Sequence, residues 1–281
     1  MTHEVVRTRG GALAVRSVED GEIMHPGVGP LVEATELYVV QSRLADRLRD
    51  RGGDGVGGAA LVLFDVGLGA GSNALAARAV SERAPAGAGR LEIVSFERDL
   101  GALALALAHG APFALDGDHD PGNAEAARAL LADGRHETAR TCWRLERGDI
   151  IEALARQRAP ADIVFWDPFS PRANPSLWTV AALAAARRVA GPRCTLFTYS
   201  ASTATRVAML LGGWAVGVGA GIGDKRQTTA AAVTAADLAR PLDRRWLARL
   251  SRPDVPLPAD AGADVAARVA RAAQFIDGPQ A

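Results

Sequence analysis

Four carboxylates close to the ends of short apolar runs carry most of the chemical potential of this chain: Asp65, Glu97, Asp149 and Asp167. Asp167 opens D-P-F-S-P-R-A-N-P-S-L-W, and the prolines at 168, 171 and 175 stiffen a loop that leaves the end of a strand predicted over 162–166. Catalytic groups of open α/β sheets sit at that carboxyl edge, and a rigid loop there suits holding a nucleophile in line with a reacting carbon. Asn174 as a helix cap and Pro175 at the first helical position explain the end of this loop but not its acid. Glu97, in F-E-R-D, stands where a carboxylate can accept both hydroxyls of a ribose, whereas Asp99 better fits an acid at a helix N-terminus. Asp149 suits either accepting from the exocyclic amine of an adenine or capping the next helix, and the two roles are compatible.

These groups need a sheet to bring them together, and the chain alternates strand and helix as a parallel sheet requires. Leu61 to Asp65 is too short and apolar for a helix and suits a buried strand. Gly67, Gly69 and Gly71 follow at alternate positions before helix formers resume at Asn73. Glycines permit the turn angles and the close approach of a ligand to the main chain. The dinucleotide fingerprint would place its third glycine at Ser72, so the pattern here is D-x-G-x-G-x-G instead. Further strands are predicted over 91–96, 143–147, 162–166 and 194–199. Two more, 214–218 and 228–233, pair antiparallel through G-A-G-I-G-D-K-R-Q.

A β-hairpin around Gly10-Gly11 and one helix from Pro30, with the stripe Leu31, Ala34, Leu37, Tyr38, Leu44 and Leu48, precede that sheet. His25, in the loop between them, is either catalytic or a structural hydrogen-bonder. The expected division is 1–58 for this extension, 59–235 for the core, and 236–281 for a tail packed on or flanking it. The linker at 52–58 is glycine-rich.

With 281 residues and 32 basic against 32 acidic side chains, the chain has no net field drawing it to nucleic acid or membranes. Contact with RNA would need a local patch. The tail offers one in Arg240, Arg244, Arg245, Arg249 and Arg252 around Trp246, although a solvated face explains these as well. Cys142 and Cys194 match no disulfide or metal framework. D-G-D-H-D-P-G, within 110–134, lacks calcium-loop spacing and is expected to be a solvated loop, so no metal site is expected. No apolar signal core or bilayer-spanning segment is present, and a cytoplasmic location is expected.

The ordered motifs G-E-I-M-H-P-G-V-G-P, D-V-G-L-G-A-G-x-N-A-L, F-E-R-D, D-P-F-S-P-R-A-N-P-S-L-W, T-Y-S-A and G-x-G-x-K-R run from about residue 21 to 258. Together they resemble the methyltransferase half of the MnmC-like enzymes that complete 5-methylaminomethyl-2-thiouridine at the tRNA wobble position. The likeness is greater still to members without the oxidase half, for which too little chain remains here. Asp-Pro-aromatic is also similar to the D/N-P-P-Y/F motif of nucleobase amino-methyltransferases, with the second proline missing. The resemblance implies a class I S-adenosylmethionine-dependent methyltransferase, a Rossmann-like α/β fold with a seven-stranded, mostly parallel sheet and a small N-terminal β appendage. It implies that Asp65, Gly67, Gly69, Gly71, Glu97 and Asp149 hold S-adenosylmethionine and that Asp167 faces the substrate amine. Pro168 and Phe169 would then line the acceptor site, with Lys225 and Arg226 a basic pair at its mouth for a tRNA phosphate. Where the fused enzymes have D-G-F-x-P this chain has Asp167-Pro168-Phe169, and Gln227 replaces an acid. The other readings are an enzyme acting on a different amine, and a non-catalytic scaffold that kept the fold.

Overall fold

A computed structural model describes residues 2–52, 59–115, 121–223, 226–252 and 254–276. Strands β1 (His3–Arg7) and β2 (Leu13–Ser17) form the N-terminal hairpin, in register from His3 opposite Ser17 to Arg7 opposite Leu13. The predicted single helix from Pro30 is instead three pieces. A short α1 (Pro30–Glu33) runs into a π-helical stretch (Ala34–Val40), and α2 (Leu44–Arg51) begins after a left-handed Arg43. The apolar stripe survives the break: Ala34, Leu37, Tyr38, Leu44 and Leu48 are all buried. Burial of a face, which periodicity reports, does not require one unbroken hydrogen-bond ladder, and π-turns recur at functional sites.

The core alternates β3 (Leu61–Val66), α3 (Ser72–Glu82), β4 (Leu91–Glu97), α4 (Gly101–His109), α5 (Pro121–Asp133), β5 (Arg135–Glu137), β6 (Thr141–Arg147), α6 (Ile150–Ala155), β7 (Ala161–Trp166), α7 (Val180–Arg188), β8 (Ala190–Thr198), α8 (Thr203–Leu211), β9 (Ala215–Gly219) and β10 (Thr228–Ala232). The sheet order is β5-β6-β4-β3-β7-β8-β10-β9. Strands β6, β4, β3, β7 and β8 pair parallel, while β10 runs antiparallel between β8 and β9. Seven of these are the predicted strands. The eighth, β5, pairs antiparallel with β6 and has the sequence Arg-His-Glu, which offers no apolar alternation to detect.

Two further sequence expectations are corrected. Of the D-G-D-H-D-P-G stretch expected to be a solvated loop, residues 116–120 lie outside the described residues, as does most of the glycine-rich linker, 53–58; its last two residues, 121 and 122, instead open α5, which buries Asn123, Ala126, Ala127 and Leu130. Asn174 precedes only a 3-10 turn over Pro175–Trp178 and makes no side-chain cap bond. The helix that follows is capped by Thr179, whose Oγ1 accepts from the Ala182 amide.

Strand parity sorts the core onto both faces of the sheet. Val62, Phe64 and Val66 join one cluster, whereas Leu61 and Leu63 join the other. The tail covers the β9 edge. Val218 donates to the Arg240 carbonyl, Trp246 is buried, and the Gln274 side chain bonds both Val216 and Leu242. Val265 and Val269 of α9 (Val265–Ala270) and Phe275 of α10 (Ala273–Ile276) extend the first cluster. Among the described residues no helix is long and apolar enough to cross a membrane.

The chain leaves β3 towards β4 and β6 on one side and later returns through β7 and β8 on the other. The switch point therefore lies between β3 and β7, and α/β sheets open a ligand crevice beyond the strand ends at such a point.

Candidate active site

A cavity of about 550 Å³ occupies that position. Its floor is the turn after β3, with Gly67, Leu68, Gly69 and Ala70, and Glu97, Asp149, Asp167, Pro168, Phe169 and Tyr199 stand around it. The hairpin and the loop after it form the roof, through His3, Glu22, Met24 and His25 among others. Glu22 ties this roof to the β7 loop. Its carboxylate accepts from the Ser170 amide at 3.0 Å, from the Ser170 hydroxyl, and from Arg172 at 2.9 Å.

Each acid has a distinct setting. Glu97 Oε2 accepts from the Gly69 amide at 3.1 Å, and Oε1 accepts from the amides of Arg98 and Asp99, so the carboxylate is fixed against the glycine turn. Asp99 accepts from the Gly101 amide at the start of α4. Asp149 caps α6 by accepting from the Glu152 amide at 3.0 Å and still lines the cavity. Asp65 lies beneath the turn rather than in the lining. Register places it beside Ser95, whose hydroxyl donates to Oδ2 at 2.7 Å while accepting from Trp143 Nε1. Its Oδ1 is buried without a partner, and burial, opposed by the Ser95 bond, pushes its pKa up to about 7.

Asp167 is the most constrained. Tyr38 donates to Oδ1 at 2.6 Å and Asn73 Nδ2 donates to Oδ2 at 2.7 Å. Burial holds its pKa above the usual carboxylate range, while His25, Tyr38 and Asn73 pull the other way. Tyr38 itself, buried and facing this carboxylate, is held protonated well above its ordinary range. Tyr38 and Asn73 were not singled out in the sequence as site residues. A tyrosine inside an apolar stripe still has a hydroxyl that needs a partner, and that was the available signal. Gly71 turns the chain into α3 and packs against Leu103 rather than lining the cavity. Arg226 is exposed and is not a lining residue; Lys225 lies outside the described residues.

Among the described residues the lining carries eight carboxylates and one arginine, Arg98. This acceptor-rich lining disfavours a pyrophosphate and suits a nucleoside bearing cationic groups. The glycine turn is tightly covered, since a β-carbon at position 69 would stand 3.1 Å from Met24 Sδ, and both residues line the cavity.

One consequence concerns stability. The folded state holds the Asp65 proton up to about pH 7, but an unfolded aspartate releases it near its ordinary value of 3.8. Asp65 thus favours folding below that value, and the contribution is lost as pH rises to about 7. Asp65→Asn is expected to melt progressively higher than the parent chain between pH 4 and 8, by a few degrees at the upper end. Parallel melting curves across that range would refute the buried, protonated carboxylate.

Comparisons with known proteins agree with this geometry. A family model described as S-adenosyl-L-methionine-dependent methyltransferase matches residues 128–234. The tRNA 5-methylaminomethyl-2-thiouridine biosynthesis bifunctional protein MnmC of Methylibium petroleiphilum is 31% identical over 240 residues, covering 81% of this chain and 34% of that protein. The same-named protein of Pseudomonas aeruginosa is 31% identical over 216 residues, covering 74% of this chain and 32% of its own length. The chain thus spans about a third of the length of the curated relatives it matches. In fold, the crystal structure of MNMC2 from Aquifex aeolicus superposes with a TM-score of 0.70 at 23% identity, covering 95% of this chain and 82% of that one. A spermidine synthase in complex with the transition-state analogue AdoDATO gives 0.52 at 10% identity, covering 91% and 77%.

Fold and cavity define a class I methyltransferase whose cofactor is S-adenosyl-L-methionine. Within that class the chain is similar to the MnmC proteins, over 81% and 74% of its own length in the two relatives named.

Proposed function

We propose that this enzyme methylates a primary amine, namely the aminomethyl group of 5-aminomethyl-(2-thio)uridine at the wobble position of tRNA in the cytoplasm. The observation that carries the reading is Asp167, a largely buried carboxylate (10% exposed) aimed by Tyr38 and Asn73 at the end of β7, beside the glycine turn. Similarity to the MnmC proteins supports the tRNA acceptor. When bound, S-adenosylmethionine supplies an electrophilic methyl group on a cationic sulfur. Gly67 and Gly69 would admit it close to the main chain, with Glu97 at the ribose hydroxyls and Asp149 near the adenine amine. Asp167 would orient the neutral amine and stabilise the positive charge that grows on nitrogen, an interaction stronger in the transition state than in the ground state. Pro168, Phe169 and Tyr199 would wall the acceptor site, and Lys225 and Arg226 would meet a phosphate outside it.

A second reading, N-methylation of a free cationic amine, draws support from the carboxylate-rich lining and the zero net charge. Nucleic-acid binding rests largely on phosphate contacts, which that balance does not favour. A labelled-methyl assay with tRNA carrying the unmethylated aminomethyl group, beside a panel of small amines, separates the two. Label in tRNA alone is expected; label only in small amines would overturn the tRNA acceptor, and label in neither would overturn both.

A further inference from the structure

The loop between the hairpin and α1 places His25 between two carboxylates. Its Nδ1 lies 3.3 Å from Glu33 Oε2 and its Nε2 lies 3.7 Å from Asp167 Oδ2. The three side chains, His25, Glu33 and Asp167, are only 12, 3 and 10% exposed, so the row is largely shielded from bulk water and His25 is its most open member. The arrangement is built at some conformational cost. His25 adopts a left-handed backbone (φ 52°), which is uncommon for a residue other than glycine. Gly27 supplies the room for Glu33, because a β-carbon there would stand 2.8 Å from Glu33 Oε1. The other titratable groups around the row are Tyr38 and Tyr199, both held protonated by burial and by Asp167, and Asp65 beneath the glycine turn.

A primary alkylamine reaches the site largely as an ammonium ion at neutral pH, and it has no lone pair until a proton leaves. Asp167 is the base beside it, but a protonated Asp167 must be cleared before methyl transfer, when its negative charge is needed, and the roof closes the direct way out. We propose that His25 and Glu33 form the proton exit of this site. The ammonium N–H bond breaks with its electron pair staying on nitrogen, and the proton joins a carboxylate oxygen of Asp167. As the 3.7 Å gap tightens to hydrogen-bond length in the loaded site, the proton passes to Nε2 of neutral His25. The imidazolium so formed is stabilised through Nδ1–H by the Glu33 carboxylate and then loses its proton to solvent from the ring, the most exposed of the three side chains. His25 acts through Asp167, so it is a positioning residue and does not touch the amine. Carboxylate–imidazole–carboxylate order also sets the tautomer, since Nδ1 must carry hydrogen towards Glu33 for Nε2 to accept. This inference rests on the amine-methylation reading and adds the route by which its proton leaves.

Two measurements on the full chain test it. In the first, NMR follows the His25 ring through a pH titration in the parent chain, in Glu33→Gln and in Asp167→Asn. The midpoint is expected to fall by about one pH unit or more in each variant, as removal of an adjacent charge requires; a midpoint unmoved in both would overturn the proposal whatever the acceptor is. In the second, single-turnover methyl transfer is measured from pH 6.5 to 9.5 for the parent chain and His25→Asn, with calorimetry of S-adenosylmethionine alongside. Asparagine tolerates the left-handed backbone, which keeps the loop in place. The variant is expected to be roughly 10- to 100-fold slower at neutral pH. That gap should narrow towards pH 9.5, where a growing share of the amine arrives neutral, and added imidazole should narrow it further. A deficit equal at every pH, or one matched by lost cofactor affinity, would mark His25 as structural and overturn the proposal. If the parent chain methylates neither tRNA nor small amines, the acceptor reading fails, and the NMR result still decides whether the row is coupled.

Discussion

Asp167→Ala is expected to bind S-adenosylmethionine with near-normal affinity and to lose methyl transfer by roughly 10²- to 10⁴-fold. The reason lies in what each wall of the cavity holds. Glu97 is fixed by the Gly69, Arg98 and Asp99 amides, and Asp149 by α6, so the surfaces proposed for the cofactor do not depend on Asp167. Removing the carboxylate leaves the Tyr38 hydroxyl and Asn73 amide without their acceptor and takes away the negative charge beside the nitrogen. Asp167→Asn is the shape-preserving companion. Asn73 Oδ1 is buried and without a partner, so an amide flip at position 73 can receive the new Nδ2. A similar loss of turnover in Asn and Ala would assign the effect to charge rather than to packing. Calorimetry decides the point: cofactor affinity falling in step with turnover would remove Asp167 from the chemical step.

The second large effect is expected at Gly67, where Gly67→Ala should lower the melting temperature by roughly 5–15 °C and abolish transfer in the folded fraction. Its φ is +87°, and an added β-carbon would stand 2.9 Å from Asp167 O, Pro168 N and Pro168 Cα. Those are backbone atoms, so no rotamer change relieves the contact, and the β7 loop must move away from β3. A displacement of about 1 Å at a reacting group costs on the order of 10² in rate. Gly134→Ala is the matched control. Position 134 also has a positive φ, of 68°, but a β-carbon there meets nothing within 4 Å. It should show the backbone strain alone, roughly 1 kcal/mol. Equal losses in the two variants would mean that crowding between the two strand ends is not what demands glycine at 67.

The roof makes a smaller contribution that these variants leave intact. Glu22 joins it to Ser170 and Arg172, so the hairpin is held by the same loop that carries Asp167. This explains why a β appendage with little core of its own lines the cavity at all. It closes over the strand ends and keeps the row from Glu33 to Asp167 largely away from bulk water.

Local pattern was enough to announce the α/β alternation, the glycine turn after β3 and the antiparallel strands at the end of the sheet, because strand burial, turn angles and helix composition are written in neighbouring residues. D-x-G-x-G-x-G, with Ser72 where a dinucleotide fold wants glycine, already pointed away from a pyrophosphate. Local pattern failed where stability comes from distant partners. β5 exists because β6 offers it an edge, α5 because Ala126, Ala127 and Leu130 find the second core cluster, and the break before Leu44 because packing tolerates a π-turn that periodicity does not register. The same division holds at the site. Sequence alone set out the acids at the strand ends and the proline-stiffened loop. Tertiary structure decided which of them share a cavity: Glu97, Asp149 and Asp167 line it, Asp65 lies below it, and Arg226 is not part of it. It also brought Tyr38, 129 positions away in the chain, and Asn73, 94 away, onto one carboxylate. No residue type or spacing encodes such a contact, since it forms only when the folded sheet lays the switch point against the N-terminal segment.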